Sequence, residues 1–349
     1  MAPFRMIFWI LLGVHFCISL NCIECSGQRT PKFPAILVFG DSAFDTGNNN
    51  YITTVFKANY FPYGLNYPGR VSTGRYSDGK LIPDLLASSF GIKEAVPPFL
   101  QPNLSDQELL TGVCFASAGS GLDDQTTVLS NSIPMSKQPD LFRKYLDRLN
   151  EIVKPEEAQR IVREALVVIH AGTVDFMYNF YILRSFRMVQ FSLRNMQEIY
   201  DLGCRHIVVC GLPPMGCMPL LKSAQFHPFS RTCLENVNSV AQSYNGKLKN
   251  LLQEAHSELP GSKILYADTY NPLLHMIQNP TRYGFKETAR GCCGTGTFEG
   301  NQLCNIFTPI CSNPSQHIWW DSMHPTEAVY RHLNHQFIPP LHMLISASE

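Results

Sequence analysis

Two short motifs, one near each end of the chain, carry the three side chains that nucleophilic acyl transfer needs. Gly40-Asp41-Ser42 follows an apolar run, and Asp321-Ser322-Met323-His324-Pro325 lies near the C-terminus. A serine hydroxyl is a weak nucleophile until an imidazole takes its proton and a carboxylate holds that imidazole in the right tautomer. Asp321 and His324 are three residues apart, so their side chains can meet within one turn. The sequence therefore indicates hydrolase chemistry at Ser42, His324 and Asp321.

Each motif also has a purely structural interpretation. Asp41 and Ser42 are common helix N-caps, and His324 is an ordinary residue at the start of a helix. The polar run Asp45–Asn50 follows Ser42 at once and argues against a simple cap. A helix opening here would place backbone N–H groups beside the hydroxyl, where an oxyanion develops. Pro325 biases the preceding residue towards extended backbone and favours a helix start, which places the imidazole at an element boundary.

The elements that must position these motifs have the pattern of an α/β fold. Runs that are apolar on both faces, as in parallel strands covered by helices, occur at Ala35–Phe39, Val113–Ala116, Ala165–Ala171, His206–Cys210 and Lys263–Ala267. Between them lie amphipathic stretches with three-to-four spacing, including one from Ile182 to Ile199 and one from Val237 to Leu252. We predict a doubly wound parallel sheet in a single domain over residues 33–345.

Ligands of such sheets bind outside the carboxyl ends of the strands. Gly40-Asp41-Ser42 follows the first predicted strand, Gly119 the second, and Gly172–Asp175 the third. We therefore expect these three segments to meet at one edge of the sheet.

The bulk composition excludes some function classes and indicates export. The 349 residues contain 28 basic and 28 acidic side chains, so the chain has no excess of positive charge that would indicate binding to nucleic acid.

The N-terminus has the pattern of an export signal. Arg5 precedes an apolar run, Met6–Leu20, which is short for a membrane span and lacks a basic stop-transfer cluster. We predict a signal peptide over residues 1–26, cut between residues 22 and 27. The alternative is an uncleaved signal anchor.

Twelve cysteines fit an oxidising compartment. A Gly-rich loop contains Cys292, Cys293, Cys304 and Cys311, which favours disulfides. We do not expect the adjacent Cys292 and Cys293 to pair with each other. Zinc is the alternative, although adjacent cysteines lack the usual ligand spacing. A further plausible disulfide pair consists of Cys217 and Cys233. Asn103-Leu104-Ser105 matches the pattern of a glycosylation acceptor.

Five blocks of the sequence resemble the plant GDSL esterase/lipase family, a branch of the SGNH hydrolases. They read Phe39-Gly40-Asp41-Ser42 with Asp45-Thr46-Gly47-Asn48-Asn49, Phe115-Ala116-Ser117-Ala118-Gly119-Ser120-Gly121, Gly211-Leu212-Pro213-Pro214-Met215-Gly216-Cys217, Gly291-Cys292-Cys293-Gly294 and Trp320-Asp321-Ser322-Met323-His324-Pro325-Thr326. The match runs from about Phe33 to near the C-terminus.

The resemblance implies a flavodoxin-like, five-stranded α/β/α sandwich of the SGNH type and hydrolysis of carboxylic esters without a cofactor. It makes Ser42 the nucleophile, His324 the general base and Asp321 its orienting partner, with the backbone N–H groups of Ser42 and Gly119 as oxyanion donors. The expected partner is a small-molecule or lipid ester. We expect no nucleic acid, no metal, no membrane span after signal cleavage, and a monomer secreted to the apoplast or cell wall.

One position departs from the family pattern. Its third block reads Gly-x-Asn-Asp, where the Asn amide is a third oxyanion donor, whereas this chain has Gly172-Thr173-Val174-Asp175. Val174 has no donor, and loss of one such donor typically lowers turnover about 100- to 1,000-fold. Thr173 or Asn179 are the possible substitutes. Besides the esterase/lipase, two alternatives stay open: a catalytically impaired extracellular binding protein, and an acyltransferase.

Overall fold

A parallel sheet forms the centre of the part of the chain that the structure describes. The structure is a computed structural model and describes residues 32–128, 130–177, 196–226, 230 and 232–346. Within these residues, β1 (Ile36–Gly40), β2 (Leu166–His170), β3 (His206–Cys210) and β4 (Lys263–Ala267) pair in the order β1-β2-β3-β4. All three pairings are parallel and without register shifts. Every residue of β1 and β2 is buried, so both faces of this half of the sheet are covered, whereas four of the five residues of β4 are only half-buried.

The parallel α/β fold is confirmed, but the sheet of the described residues has four regular strands rather than five. The predicted second strand, Val113–Ala116, does lie beside β1 and exchanges backbone hydrogen bonds with Val38. Between this segment and β1 a single bridge forms, from Val38 to Cys114, and Cys114 also bridges Pro98. The N–H of Gly40, at the end of β1, donates to the side chain of Gln138 at 2.8 Å, while the Gly40 carbonyl accepts from the N–H of Ser117 at 3.0 Å.

Helices alternate with the strands as the amphipathic stretches predict. They are α1 (Ile82–Ser89), α2 (Asp106–Leu110), α3 (Asp124–Val128), α4 (Gln138–Ile152), α5 (Pro155–Glu164), the single turn α6 (Thr173–Asp175), α7 (Pro219–Ala224), α8 (Glu235–Glu258), α9 (Tyr270–Gln278) and α10 (Glu327–Ser346). Residues 196–201 are also helical. Prolines at the first or second position begin α1, α4, α5 and α7, where the missing N–H is tolerated.

A second, two-stranded parallel sheet leads into the C-terminal motif. It pairs β5 (Glu287–Gly291) with β6 (His317–Trp319), and the chain leaves β6 directly for Asp321. Main-chain hydrogen bonds from Cys292 to Trp319 and from Cys293 to Trp320 continue this pairing. The small sheet therefore fixes the approach of the chain to the Asp321–His324 segment.

Some predictions fall outside the described residues. These are the signal peptide with its cleavage site, and the part of the amphipathic stretch from Ile182 to Leu193. The residues from Lys32 onwards group into one compact unit. In the described part of the chain, no helix combines the length and the apolar character that crossing a bilayer requires.

Candidate active site

Ser42 lies in a tight turn directly after β1. Gly40 has φ +141°, and a Cβ at this position would lie 2.1 Å from the carbonyl oxygen of His170, so only glycine fits here. The Asp41 carbonyl accepts from the N–H groups of Phe44 and Asp45, which closes one turn. The helix that could begin at Ser42 does not form, and the turn ends at Phe44. The N–H groups of Gly47 and Asn48 donate to the carboxylate of Asp45 rather than to carbonyl groups of a helix.

The structure brings together Ser42, His324 and Asp321, which the sequence places at opposite ends of the chain. The Oγ of Ser42 lies 2.8 Å from Nε2 of His324. Nδ1 of His324 lies 2.9 Å from Oδ2 and 3.0 Å from Oδ1 of Asp321. All three residues are buried, with exposures of 8%, 7% and 0%. Nε2 of His324 thus faces the serine and Nδ1 faces the carboxylate, which is the arrangement that a serine–histidine–carboxylate triad requires.

The backbone around Asp321 orients the carboxylate. Its Oδ1 accepts from the N–H groups of Met323 and His324 at 2.8 and 2.7 Å. The segment is an irregular loop rather than a helical turn, and the helix that follows begins at Glu327 rather than at Pro325. This loop folds back because the carbonyl of His324 accepts from the N–H of Trp320 at 2.7 Å.

Two tyrosines that sequence reasoning missed complete the surroundings of His324. The hydroxyl of Tyr63 donates to Oδ2 of Asp321 at 2.8 Å, and the ring of Tyr76 packs against the imidazole with centroids 4.7 Å apart. Burial, together with the nearby Asp321, raises the pKa of Tyr63 well above its usual value, so Tyr63 remains a donor at neutral pH. No local pattern marks these tyrosines, because Tyr63 is 258 residues from Asp321 in sequence.

The polar run after Ser42 serves to hold the Gly119 loop. Oδ2 of Asp45 accepts from the N–H of Ala118 at 3.0 Å, and the amide of Asn49 donates to the Ala118 carbonyl at 2.8 Å. Asn48 donates to the carbonyls of Cys114 and Ala116. Burial raises the pKa of Asp45 to about 6. The run that follows the serine in sequence therefore fixes the backbone of the predicted oxyanion loop.

Asp175 anchors the same loop from the other side. Its carboxylate accepts from the N–H groups of Leu122 and Asp123 at 2.7 and 2.9 Å and from the Thr126 hydroxyl at 3.0 Å. Burial raises the pKa of Asp175 to about 6, although these hydrogen bonds oppose the shift. Gly119 itself has φ +83°.

An apolar cavity of about 360 Å³, here called the main cavity, opens at Ser42 and His324. Gly119 and Val174 line it beside Ser42. Its other walls are mostly apolar and comprise Phe56, Tyr76, Met177, Leu220, Leu221, Ala224, Asn301 and Met323. The volume lies within the range of about 300 to 1,000 Å³ typical of ligand pockets.

Val174 occupies the expected place without supplying a donor. It is 5% exposed and lines the main cavity with Ser42 and Gly119. Thr173, the possible substitute, lines a different cavity on the Asp41 side. The amide of Asn301 reaches the main cavity but donates to the carbonyl of Val55 at 2.9 Å. Asn179 lies outside the described residues.

Six cysteines of the described residues pair as disulfides, while Cys114, Cys204 and Cys210 are buried free thiols. Cys217 joins Cys233, Cys292 joins Cys311, and Cys293 joins Cys304. The sulfurs of Cys292 and Cys311 and a nitrogen of His317 lie within 4.8 Å of one another, but disulfide sulfurs are not thiolates and do not ligate zinc. Asn103, the predicted glycosylation site, is exposed.

The sequence of the chain is similar to known proteins over most of its length. The model of the family described as GDSL-like lipase/acylhydrolase matches residues 36–337. The chain is 50% identical over 335 residues to one Arabidopsis thaliana protein named a GDSL esterase/lipase, which covers 92% of this chain and 93% of that protein. A second Arabidopsis thaliana protein with the same kind of name is 50% identical over 344 residues, or 95% of this chain and 96% of the relative. A third is 42% identical over 337 residues, 92% of each chain.

Proposed function

This chain belongs to the GDSL-like lipase/acylhydrolase family, and we propose that it is a serine hydrolase that cleaves carboxylic esters through an acyl-enzyme on Ser42. The observation that carries the proposal is the Ser42 Oγ to His324 Nε2 distance of 2.8 Å, with Nδ1 of the same ring against Asp321. A nucleophile, a base and an orienting carboxylate in this order activate a serine for acyl transfer.

In the proposed reaction, His324 takes the proton of Ser42 as its Oγ attacks the ester carbonyl carbon. The backbone N–H groups of Ser42 and Gly119 stabilise the oxyanion that forms. His324 then gives the proton to the departing alcohol, which leaves the acyl group on Ser42. In the second half-reaction His324 takes a proton from water, and the attack of that water releases the acid and restores the serine. Asp321, which accepts a hydrogen bond from Tyr63, holds the imidazole in place throughout.

The main cavity supports an ester with an apolar acyl chain as the substrate class. Leu220, Leu221 and Met177 line it together with Ser42, and its volume of about 360 Å³ exceeds what a short acid such as acetate needs. An apolar wall of this kind gains affinity from each methylene group that it removes from water. We therefore propose a lipid-like ester.

We also propose that the protein is exported and glycosylated at Asn103. The disulfides of Cys217, Cys292 and Cys293 support an oxidising compartment. The apolar N-terminal run supports a signal peptide, and the exposure of Asn103 is compatible with glycan attachment.

One observation favours the second candidate, an impaired protein that binds esters without turning them over. Val174 lines the main cavity at the position where the family pattern carries its third oxyanion donor. Such a protein would keep the cavity and lose most of the stabilisation of the transition state.

Labelling with a fluorophosphonate probe tests the proposal, because the probe reacts only with an activated serine. Wild-type protein is expected to be labelled, and Ser42→Ala is expected not to be. Ser322→Ala is the matched control, since this buried serine adjoins Asp321 but its Oγ has no hydrogen-bond partner among the described residues. Absence of labelling in folded wild-type protein would overturn the proposal and favour the binding protein. Labelled protein is then assayed on esters of increasing acyl length.

A further inference from the structure

A second histidine–aspartate pair lies directly beside the nucleophile and has no part in the mechanism proposed above. Nδ1 of His170, at the end of β2, lies 3.0 Å from Oδ1 of Asp41, the residue that precedes Ser42. His170 and Asp41 are buried, with exposures of 5% and 0%. Since an ionised carboxylate only accepts hydrogen bonds, Nδ1 of His170 carries the proton and donates to Asp41. Hydrogen bonds to a charged group are about twice as strong as those between neutral groups.

The carboxylate of Asp41 depends on His170 for its stability in the interior. In the described part of the chain, His170 is the only basic side chain within ion-pair distance of Asp41. Oδ1 also accepts from the N–H of Ala43 at 3.1 Å, whereas Oδ2 has no hydrogen-bond partner among the described residues. A buried carboxylate with so few partners is costly. Loss of the His170 donor would therefore favour a rearrangement that brings Asp41 towards water.

The main chain and the ring of His170 hold the same turn. The His170 carbonyl accepts from the N–H of Asp41 at 3.1 Å. The ring of His170 packs against that of Phe44, with centroids 5.4 Å apart. His170 therefore contacts the turn both before and after Ser42.

The N–H groups on either side of Ser42 are occupied, whereas the N–H of Ser42 itself is not. Asp41 donates to the His170 carbonyl, and Ala43 donates to the Asp41 carboxylate. Within the described ranges, no group accepts a hydrogen bond from the N–H of Ser42. A donor that is fixed by its neighbours and still unpaired is what the stabilisation of an oxyanion requires.

We propose that His170 is a positioning residue for acyl transfer at Ser42, an inference that rests on the proposed function. His170 acts through Asp41. By donating to the buried carboxylate it keeps Asp41 in the turn, and the turn presents the N–H of Ser42 to the oxyanion of both half-reactions. His170 does not line the main cavity, so it has no contact with an acyl chain bound there. Its loss should therefore lower kcat and leave KM nearly unchanged.

The test compares variants of His170 by steady-state kinetics on a p-nitrophenyl ester. His170→Leu removes the donor at similar volume and is expected to lower kcat about tenfold or more, which is part of the effect of losing one oxyanion donor. His170→Asn is expected to keep kcat within about threefold of wild type, because its amide N–H can take the place of Nδ1–H.

His206→Leu is the matched control. His206 begins β3 and pairs with Leu166, whereas His170 pairs with Cys210 at the other end of the same two strands. His206 lines neither the main cavity nor the turn at Ser42. Its kcat and KM are expected to equal those of wild type.

A purely structural role of His170 predicts a different result. His170→Leu would then lower the midpoint of urea unfolding but leave kcat of the folded protein unchanged, and this result would overturn the proposal. Equal losses of kcat in folded His170→Leu and His170→Asn would also overturn it, because the donor at Nδ1 would not be the group that matters. If His170→Leu does not fold, His170→Gln replaces it, since the longer amide extends past the position of Nδ1. An equal kcat in His170→Gln and wild type would then refute the positioning role.

Failure of this inference can be told apart from failure of the proposed function. The fluorophosphonate probe requires an activated Ser42 in the wild type, whatever the role of His170. Labelled wild type with an unaltered kcat in folded His170→Leu refutes the positioning role and leaves the esterase standing. Unlabelled wild type refutes the proposed function, and this inference with it.

Discussion

The most informative single change is Val174→Asn, which adds a side-chain donor to the proposed oxyanion hole. Val174 lines the main cavity beside Ser42 and Gly119, so an amide there faces the place where the oxyanion develops. A well-placed donor is worth about 100- to 1,000-fold in turnover. An amide introduced into an existing turn is oriented less well than a donor built into the site, so we expect a gain of about tenfold or more, or at least roughly 1.4 kcal/mol.

The gain should appear in kcat and leave KM nearly unchanged, because the new hydrogen bond forms chiefly in the transition state. Val174 is 5% exposed, so the change also buries an amide. If this amide finds no partner in the free enzyme, the free energy of unfolding falls by about 1 to 3 kcal/mol. Steady-state kinetics on a p-nitrophenyl ester and urea unfolding measure the two effects separately.

Val174→Leu is the matched control, since leucine has nearly the shape of asparagine but no donor. It is expected to leave kcat at or below the wild-type value. If folded Val174→Asn turns over no faster than wild type, the oxyanion hole does not lack a donor at this position and the reasoning is refuted. An equal gain in Val174→Leu would assign the effect to the shape of the cavity.

Three further predictions concern the groups around the site. Asp321→Asn is expected to lower turnover by a factor on the order of 10³ to 10⁴ at neutral pH, because the amide favours the wrong tautomer of His324; turnover close to wild type would require another carboxylate as partner. Tyr63→Phe is expected to lower turnover about three- to tenfold through loss of its 2.8 Å hydrogen bond to Asp321. Unaltered turnover in the folded variant would reduce Tyr63 to a packing role. Burial raises the pKa of Asp175 from 3.8 to about 6. Between about pH 4 and pH 6 the folded state therefore keeps this carboxyl protonated while the unfolded state releases the proton. The contribution of Asp175 to the free energy of unfolding falls across this interval by at most about 3 kcal/mol. Asp175→Asn should therefore show a shallower fall of the unfolding free energy across that interval than wild type, and parallel curves would contradict the shift.

The parts of the site that the sequence predicts are those whose chemistry is local. Ser42 follows a strand and a glycine, and His324 and Asp321 are joined by their spacing, so short motifs suffice to propose them. The meeting of Gly119 and Gly172–Asp175 with Ser42 follows from the rule that parallel strands present their carboxyl ends at one edge. The resemblance of the motifs to a known family supplies the roles.

The remaining parts depend on contacts that no local pattern encodes. The side chain of Gln138 reaches Gly40 across 98 residues and accepts the hydrogen bond of its N–H at the end of β1. Tyr63 meets Asp321 across 258 residues. The turn at Ser42 resembles a helix start in sequence, and its termination depends on the side chain of Asp45. In each case one hydrogen bond between residues determines the local structure, and a sequence pattern does not show which side chain will make that bond.

The segment Gly172–Asp175 bears on the choice between an esterase and an impaired binding protein. Two of its positions have separable tasks: Val174 faces the main cavity, while Asp175 holds the loop of Gly119 through the N–H groups of Leu122 and Asp123. A change at Val174 therefore removes a donor without releasing the loop that presents the backbone donors. The buried Asp175 keeps the backbone donors of the Gly119 loop in place whichever residue stands at position 174. This anchored loop, together with the 2.8 Å contact between Ser42 and His324, favours an enzyme that works with fewer oxyanion donors over a binding protein that does not turn its ester over.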